Sequence, residues 1–403
     1  MLKRGIELKQ YIIRAGQLID GDECETLLDQ AVLVAEGRIL AIQPWHEMNR
    51  PKAFLDLSSY TLLPGLIDTH LHITLDPTNP DSYYDPNQDL IEIALRTIGN
   101  SQSALRAGVT TIGDCGADNR IIFPVRDAID REEIIGPRVI ASGAPFTPAG
   151  GHGADTIGRG VSGIKELQIA VREQAQAGAN FIKVMATSGG GENPGKSHYS
   201  VAELTALNEE AARNGLIVAA HAHGTQGIRD CVTAGIQRIE HCTFYNGQHG
   251  FDFDAGTAQA IADQGIIVSP TNVIDYRRIE KGGQGAPRAE LNVIWRSLLS
   301  AGVCFAASSD AGVTDMYYDD YALIPELMVS ELGMSSRETV AACTRNAAAA
   351  LGLQADLGTL AVGKLADFVA VEGNPLQDIT AIRSVHLVGR SGKICHQRGW
   401  QND

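Results

Sequence analysis

Five of the eleven histidines in this 403-residue chain close short apolar runs: His70 and His72 in PGLIDTHLH (64–72), His221 and His223 in LIVAAHAH, and His241 in RIEHC. Other ionisable residues occupy similar places. Glu240 precedes His241, Lys183 lies inside the apolar run FIKVMAT, and GVCFAASSD ends in Asp310. The glycine-rich segment GAPFTPAGGHG adds His152. Taken singly, each has an ordinary explanation: a hydrogen-bonded structural histidine, a snorkelling lysine, an aspartate that caps a helix. Ionisable groups are costly to bury, however, and persist where they are paired or metal-bound. Neutral imidazoles and carboxylates are the usual ligands of zinc and similar divalent ions. Recurring at the ends of several separate strands, these residues point to a metal centre.

Strands that converge would bring them together. Side chains alternate between the faces of a strand, so His70 and His72 share a face with Asp68. The middle of the chain alternates strand-like runs (TLLPGLIDTHLH, GVTTIGDC, RVIASG, FIKVMAT, LIVAAHAH, RIEHC, GIIVSP, GVCFAASSD) with helical stretches such as IKELQIAVREQAQAG and SVAELTALNEEAARNG. Ser200 and Glu203 form a capping box at one helix start, and several helices stop at glycine. Eight such alternations predict an α/β fold, a (β/α)8 TIM-like barrel, whose active site sits at the C-terminal strand ends. The two ends of the chain read instead as short strands and glycine turns. They predict one small β-sandwich domain built from residues 1–62 and 356–403, enclosing a barrel of residues 63–355.

Composition limits the partners. Lys and Arg number 33 against 48 Asp and Glu, a net charge of −15, and an acidic surface repels nucleic-acid phosphates. The opening MLKRGIELKQYIIRAG is broken by charge, unlike a signal peptide. No apolar run approaches the roughly 20 residues that span a bilayer. The seven cysteines are scattered and never spaced as CxxC, which fits reduced thiols and a cytoplasmic location. TSGGGENPGKSHYS lacks the spacing of a phosphate-binding loop.

In the order His70, His72, Lys183, His221, His241 and Asp310, the candidate ligands resemble those of the binuclear metal-dependent amidohydrolase superfamily. The tail LGTLAVGKLADFVAVEGNPLQDI resembles that superfamily's return into its β domain, so the resemblance covers essentially the whole chain. VAAHAHGTQGIRDCVTAGIQRIEHC and GGHG resemble the branch of prolidase-like and Xaa-Arg dipeptidases, ochratoxin-hydrolysing amidases, and aryl-amide and urea hydrolases. The resemblance implies two divalent ions, with zinc the expected metal, and an N-carboxylated Lys183 bridging them. His70, His72 and Asp310 would hold the first ion, and His221 and His241 the second.

The implied reaction is hydrolysis of an amide bond in a dipeptide or N-acyl amino acid by a metal-activated bridging hydroxide. Asp310 would move the proton, and His152 and His223 would steady the oxyanion. His152, His223 and Tyr245, with Tyr199 and Lys196 after the fourth barrel strand and Arg277 after the seventh, are the candidate substrate contacts. The alternative substrates are neutral aryl amides, carbamates or phenylureas, with a phosphotriesterase side activity left open. Lys183 argues against a deaminase, since deaminases of the superfamily usually use one metal and lack the lysine. A non-enzymatic scaffold would need no such ligand set. The resemblance further implies a homo-oligomer that acts on a small molecule.

Overall fold

The computed structural model describes residues 10–49, 54–79, 88–189, 195–273 and 287–399. It begins with β1 (Gln10–Ile19), β2 (Thr26–Ala35), β3 (Arg38–Pro44) and β4 (Phe54–Pro64). There follow β5 (Leu66–Leu71), β6 (Val109–Asp114), β7 (Arg138–Ala141), and the two-residue strands β8 (Phe146–Thr147) and β9 (Arg159–Gly160). Next come β10 (Ile182–Met185), β11 (Val218–Ala222), β12 (Arg238–His241), β13 (Ile267–Ser269) and β14 (Cys304–Phe305). The chain closes with β15 (Phe368–Val371), β16 (Val385–Arg390) and β17 (Lys393–Gln397).

Both ends of the chain build one sheet, ordered β17-β16-β15-β4-β1-β2-β3. Its buried residues, among them Ile13, Leu18, Leu62, Phe368 and Leu387, form a core of their own. The small β domain expected from both termini is therefore present.

The barrel strands run parallel in two groups, β5-β6-β7 and a second running from β14 to β10 and on to β8 and β9. Two seams join the groups. Leu71 bridges Ala311 beyond β14, and the Asn180 amide just before β10 donates to the Ala141 carbonyl of β7 at 2.8 Å. The helices between strands present apolar stripes to this barrel. In Val201–Arg213, for example, Leu204, Leu207 and Ala211 are buried at helical spacing, and Ser200 and Glu203 form the expected capping box. Among the described residues no helix is long and apolar enough to cross a membrane.

Register fixes the levels inside the barrel. Lys183 pairs with Ala219 and Ala219 with Arg238. Two residues higher, Met185 aligns with His221, His221 with Glu240 and Glu240 with Ser269.

One expected strand proves to be two. The run TLLPGLIDTHLH divides at Gly65, with Thr61 to Pro64 belonging to the terminal sheet and Leu66 onward to the barrel. A Cβ at Gly65 would lie 2.1 Å from Thr110 Oγ1, so only glycine lets the chain pass from sheet to barrel here.

Candidate metal centre

His70 and His72 leave β5 buried, 1% and 7% exposed, with their Nε2 atoms 3.5 and 3.3 Å from Asp310 Oδ1. Reciprocal backbone bonds hold the two segments together: Asp310 N donates to His70 O, and His72 N to Ala311 O, both at 2.8 Å. The other ring nitrogens face acceptors. His70 Nδ1 lies 2.9 Å from Glu240 Oε2 and His72 Nδ1 3.2 Å from the Gly116 carbonyl. A carbonyl or ionised carboxylate can only accept, so each neutral imidazole donates from Nδ1 and presents a lone pair at Nε2. Two lone pairs and a carboxylate oxygen thus converge with no hydrogen between them, an arrangement that suits a cation. Asp310 raises the His72 pKa: burial alone would lower it, but the bond and charge of the carboxylate outweigh that effect. Asp310 itself is held far below the ordinary carboxylate range, its burial outweighed by His70, His72 and Lys183.

The second group is His221, His223 and His241, whose ligand atoms lie within 4.8 Å of one another, as do those of His70, His72 and Asp310. Burial first, then neighbouring imidazoles and Lys183, hold His221 and His241 well below the usual histidine range. Neutral rings are what a metal requires. His241 Nδ1 lies 2.8 Å from Thr271 Oγ1, His223 Nδ1 3.0 Å from Thr243 Oγ1, and His221 Nε2 3.4 Å from the Ser188 carbonyl. The His70 and His241 rings, 5.2 Å apart, join the two groups.

Lys183 rises from the barrel interior, 1% exposed, and its Nζ has no hydrogen-bond partner among the described residues. An unpaired buried ammonium costs several kcal/mol. As a carbamate the same side chain would be an anion with two oxygens. The donor set therefore fits divalent cations, to which a carboxylated Lys183 would add an anionic ligand. Positive φ angles at His241, Cys242, Phe244, Thr271 and Asp310 gather at this mouth, a concentration of backbone strain characteristic of functional sites.

The sequence profile of the amidohydrolase family matches residues 61–395. This chain belongs to the amidohydrolase family. Ochratoxinase from Aspergillus niger is 31% identical to it over 438 aligned positions, covering 96% of this chain and 87% of that one. The crystal structure of A. niger ochratoxinase superposes with a TM-score of 0.84 at 28% identity, covering 97% of this chain and 96% of the other. A Xaa-Pro dipeptidase with methionine bound in its active site gives a TM-score of 0.83 at 26% identity, covering 96% and 100%.

Around the centre of this amidohydrolase, the outer residues divide. His152 stacks on His221 with ring centroids 4.6 Å apart. Gly189 admits it, since a Cβ there would approach His152 Cε1 to 2.7 Å. Half-buried Tyr245 packs on Phe251 and donates its amide to the His223 carbonyl. Tyr199 does not join them. It is 3% exposed in the core and its hydroxyl donates to Val161 O at 2.9 Å. Lys196 is exposed and lines a separate cavity of about 610 Å³ with Thr225, Arg229, Asn246 and His249. Arg277 lies outside the described residues. Sequence reasoning assigned no role to the partners of the ring nitrogens, Glu240, Thr271 and Thr243. Only the charged pair in RIEHC, Arg238 and Glu240 on one buried face, offered a signal.

Proposed function

We propose that this amidohydrolase cleaves the amide C–N bond of a dipeptide or N-acyl amino acid. Two divalent ions, zinc by preference, would be held by His70, His72, His221, His241 and Asp310, with N-carboxylated Lys183 shared between them. The observation that carries this reading is the buried Lys183 Nζ, with no hydrogen-bond partner among the described residues, whose charge acts on both clusters of metal-ligating atoms. Such a pair of ions supplies a lowered pKa for water and polarisation of the substrate carbonyl.

The chain's own residues do the rest. Asp310 directs Oδ1 at the two histidines, which leaves Oδ2 to receive a proton from the attacking water and pass it to the leaving nitrogen. His152 and His223 would donate to the developing oxyanion. Tyr245 borders the same mouth. Similarity to a Xaa-Pro dipeptidase that binds a free amino acid, and to an ochratoxinase, supports an amide substrate. The same reading takes the chain as a cytoplasmic homo-oligomer, which sedimentation at low concentration checks.

The test of the substrate is a panel of N-acyl amino acids, their methyl esters, anilides and phenylureas. Faster turnover of the free acids is expected. Faster turnover of esters and neutral anilides would replace this reading with that of a neutral aryl-amide or urea hydrolase.

A further inference from the structure

Below the metal centre lies a pair of charges that water does not reach. Arg238 and Glu240 are both 0% exposed. Arg238 Nε donates to Glu240 Oε1 at 2.6 Å, Nη1 to the Ala350 carbonyl at 3.2 Å and Nη2 to Cys115 Sγ at 3.5 Å. The guanidinium carbon lies 4.6 Å from the centroid of the Phe181 ring. Glu240 Oε2 is the oxygen that meets His70 Nδ1. Stability alone is a poor account of this pair, because replacing buried ion pairs with well-packed apolar residues is often neutral or stabilising.

We propose that Arg238 and Glu240 are positioning residues that fix the His70 tautomer, with the proton on Nδ1 and the lone pair on Nε2, and so set metal affinity at the His70, His72 and Asp310 pocket. The inference rests on the metal reading above. Glu240 must accept on both sides, from Arg238 Nε–H and from His70 Nδ1–H, and a carboxylate has two acceptor oxygens. Glutamine has the same shape but only one. In Glu240→Gln the amide oxygen turns to the arginine and the NH2 group faces His70 Nδ1. That ring must then accept at Nδ1 and carry its proton on Nε2, the form that cannot ligate. Removing Arg238 ends the competition and frees the amide oxygen for His70.

The experiment compares the full-length wild type, E240Q, and the double variant R238M/E240Q. Each is stripped of metal and titrated with Co²⁺ in bicarbonate buffer against a competing chelator, with visible absorption as the readout. One of the two sites in E240Q should weaken by about 10–100-fold, the usual cost of losing a partner behind a metal ligand. The double variant should recover most of that loss. If E240Q binds both ions as tightly as wild type, or the double variant binds no better than E240Q, the proposal is overturned. A wild type that takes up no Co²⁺ refutes the metal reading instead. Should E240Q fail to fold, the imidazole ¹⁵N spectrum of metal-free wild type decides: His70 protonated at Nδ1 upholds the proposal, and at Nε2 refutes it.

Discussion

The pocket of His70, His72 and Asp310 and the pocket of His221, His223 and His241 adjoin, yet they are supported differently. The first contains a carboxylate, and its His70 is backed by a second, Glu240. The second contains imidazoles alone, steadied by the hydroxyls of Thr271 and Thr243 and by the Ser188 carbonyl. Burial keeps His221 and His241 neutral, whereas the carboxylate of the first draws positive charge toward His72. A cation in the first pocket meets built-in negative charge. The second pocket supplies no such charge from its own three imidazoles. The difference teaches that two adjoining groups of metal-ligating residues can differ in strength through what stands behind them.

The largest effect should come from removing metal altogether. Exhaustive chelation should abolish amide hydrolysis and zinc should restore it; metal analysis during a graded titration should find one ion leaving before the other. Equal affinities would erase the contrast between the pockets. Asp310→Asn, which keeps the shape but not the charge, should lower the turnover rate by about 10²–10⁴-fold, the range for losing a group that moves protons. Lys183→Ala should empty the second pocket before the first and lose rate, with partial rescue by a short carboxylic acid. A fully metallated, active Lys183→Ala protein would remove the bridge from the mechanism.

Thr271→Val should be milder, weakening the second ion about 10-fold through loss of one partner of a ligand histidine. Metal competition should register no change at the first pocket. The smallest effect is a control remote from both. Asp254 caps the helix Ala255–Asp263 and pairs with Arg229. Its bond to Arg229, then that to Thr257, lowers its pKa to about 2. A lowered folded-state value means its contribution is complete above the unfolded pKa near 4 and fades as pH falls through about 2. Asp254→Ala should cost about 1 kcal/mol at pH 6. Thermal unfolding should find that difference shrinking below pH 4, with metal content unaltered.

Strand ends were legible because their signal is local. A period of two brings His70 and His72 to one side, and Lys183 in an apolar run has few ordinary explanations. The barrel and the two-ended β domain were legible for the same reason, in repeated short runs and turns. What could not be read was direction beyond the strand ends. Tyr199 follows a glycine-rich run and reads as a pocket residue, but its hydroxyl is turned inward to Val161. The break at Gly65 was hidden because TLLPGLIDTHLH is apolar on both sides of it. The partners of the ring nitrogens come from other strands, Glu240 on β12 and Thr271 just past β13, so only register identifies them.

The sheet that joins both ends of the chain has a consequence for the order of synthesis. β4 lies between β1 and β15, and its pairing with β15 runs from Thr61–Val371 to Pro64–Phe368. A ribosome adding about 5–20 residues per second needs about 15–60 s to make the intervening stretch. Throughout that interval Leu62 and Leu63 present an unpaired strand edge, the kind of surface that invites association with other chains. The nascent protein is thus most exposed to misassembly before its last strands emerge, and a chaperone that covered β4 during that minute would guard the step on which closure of the domain depends.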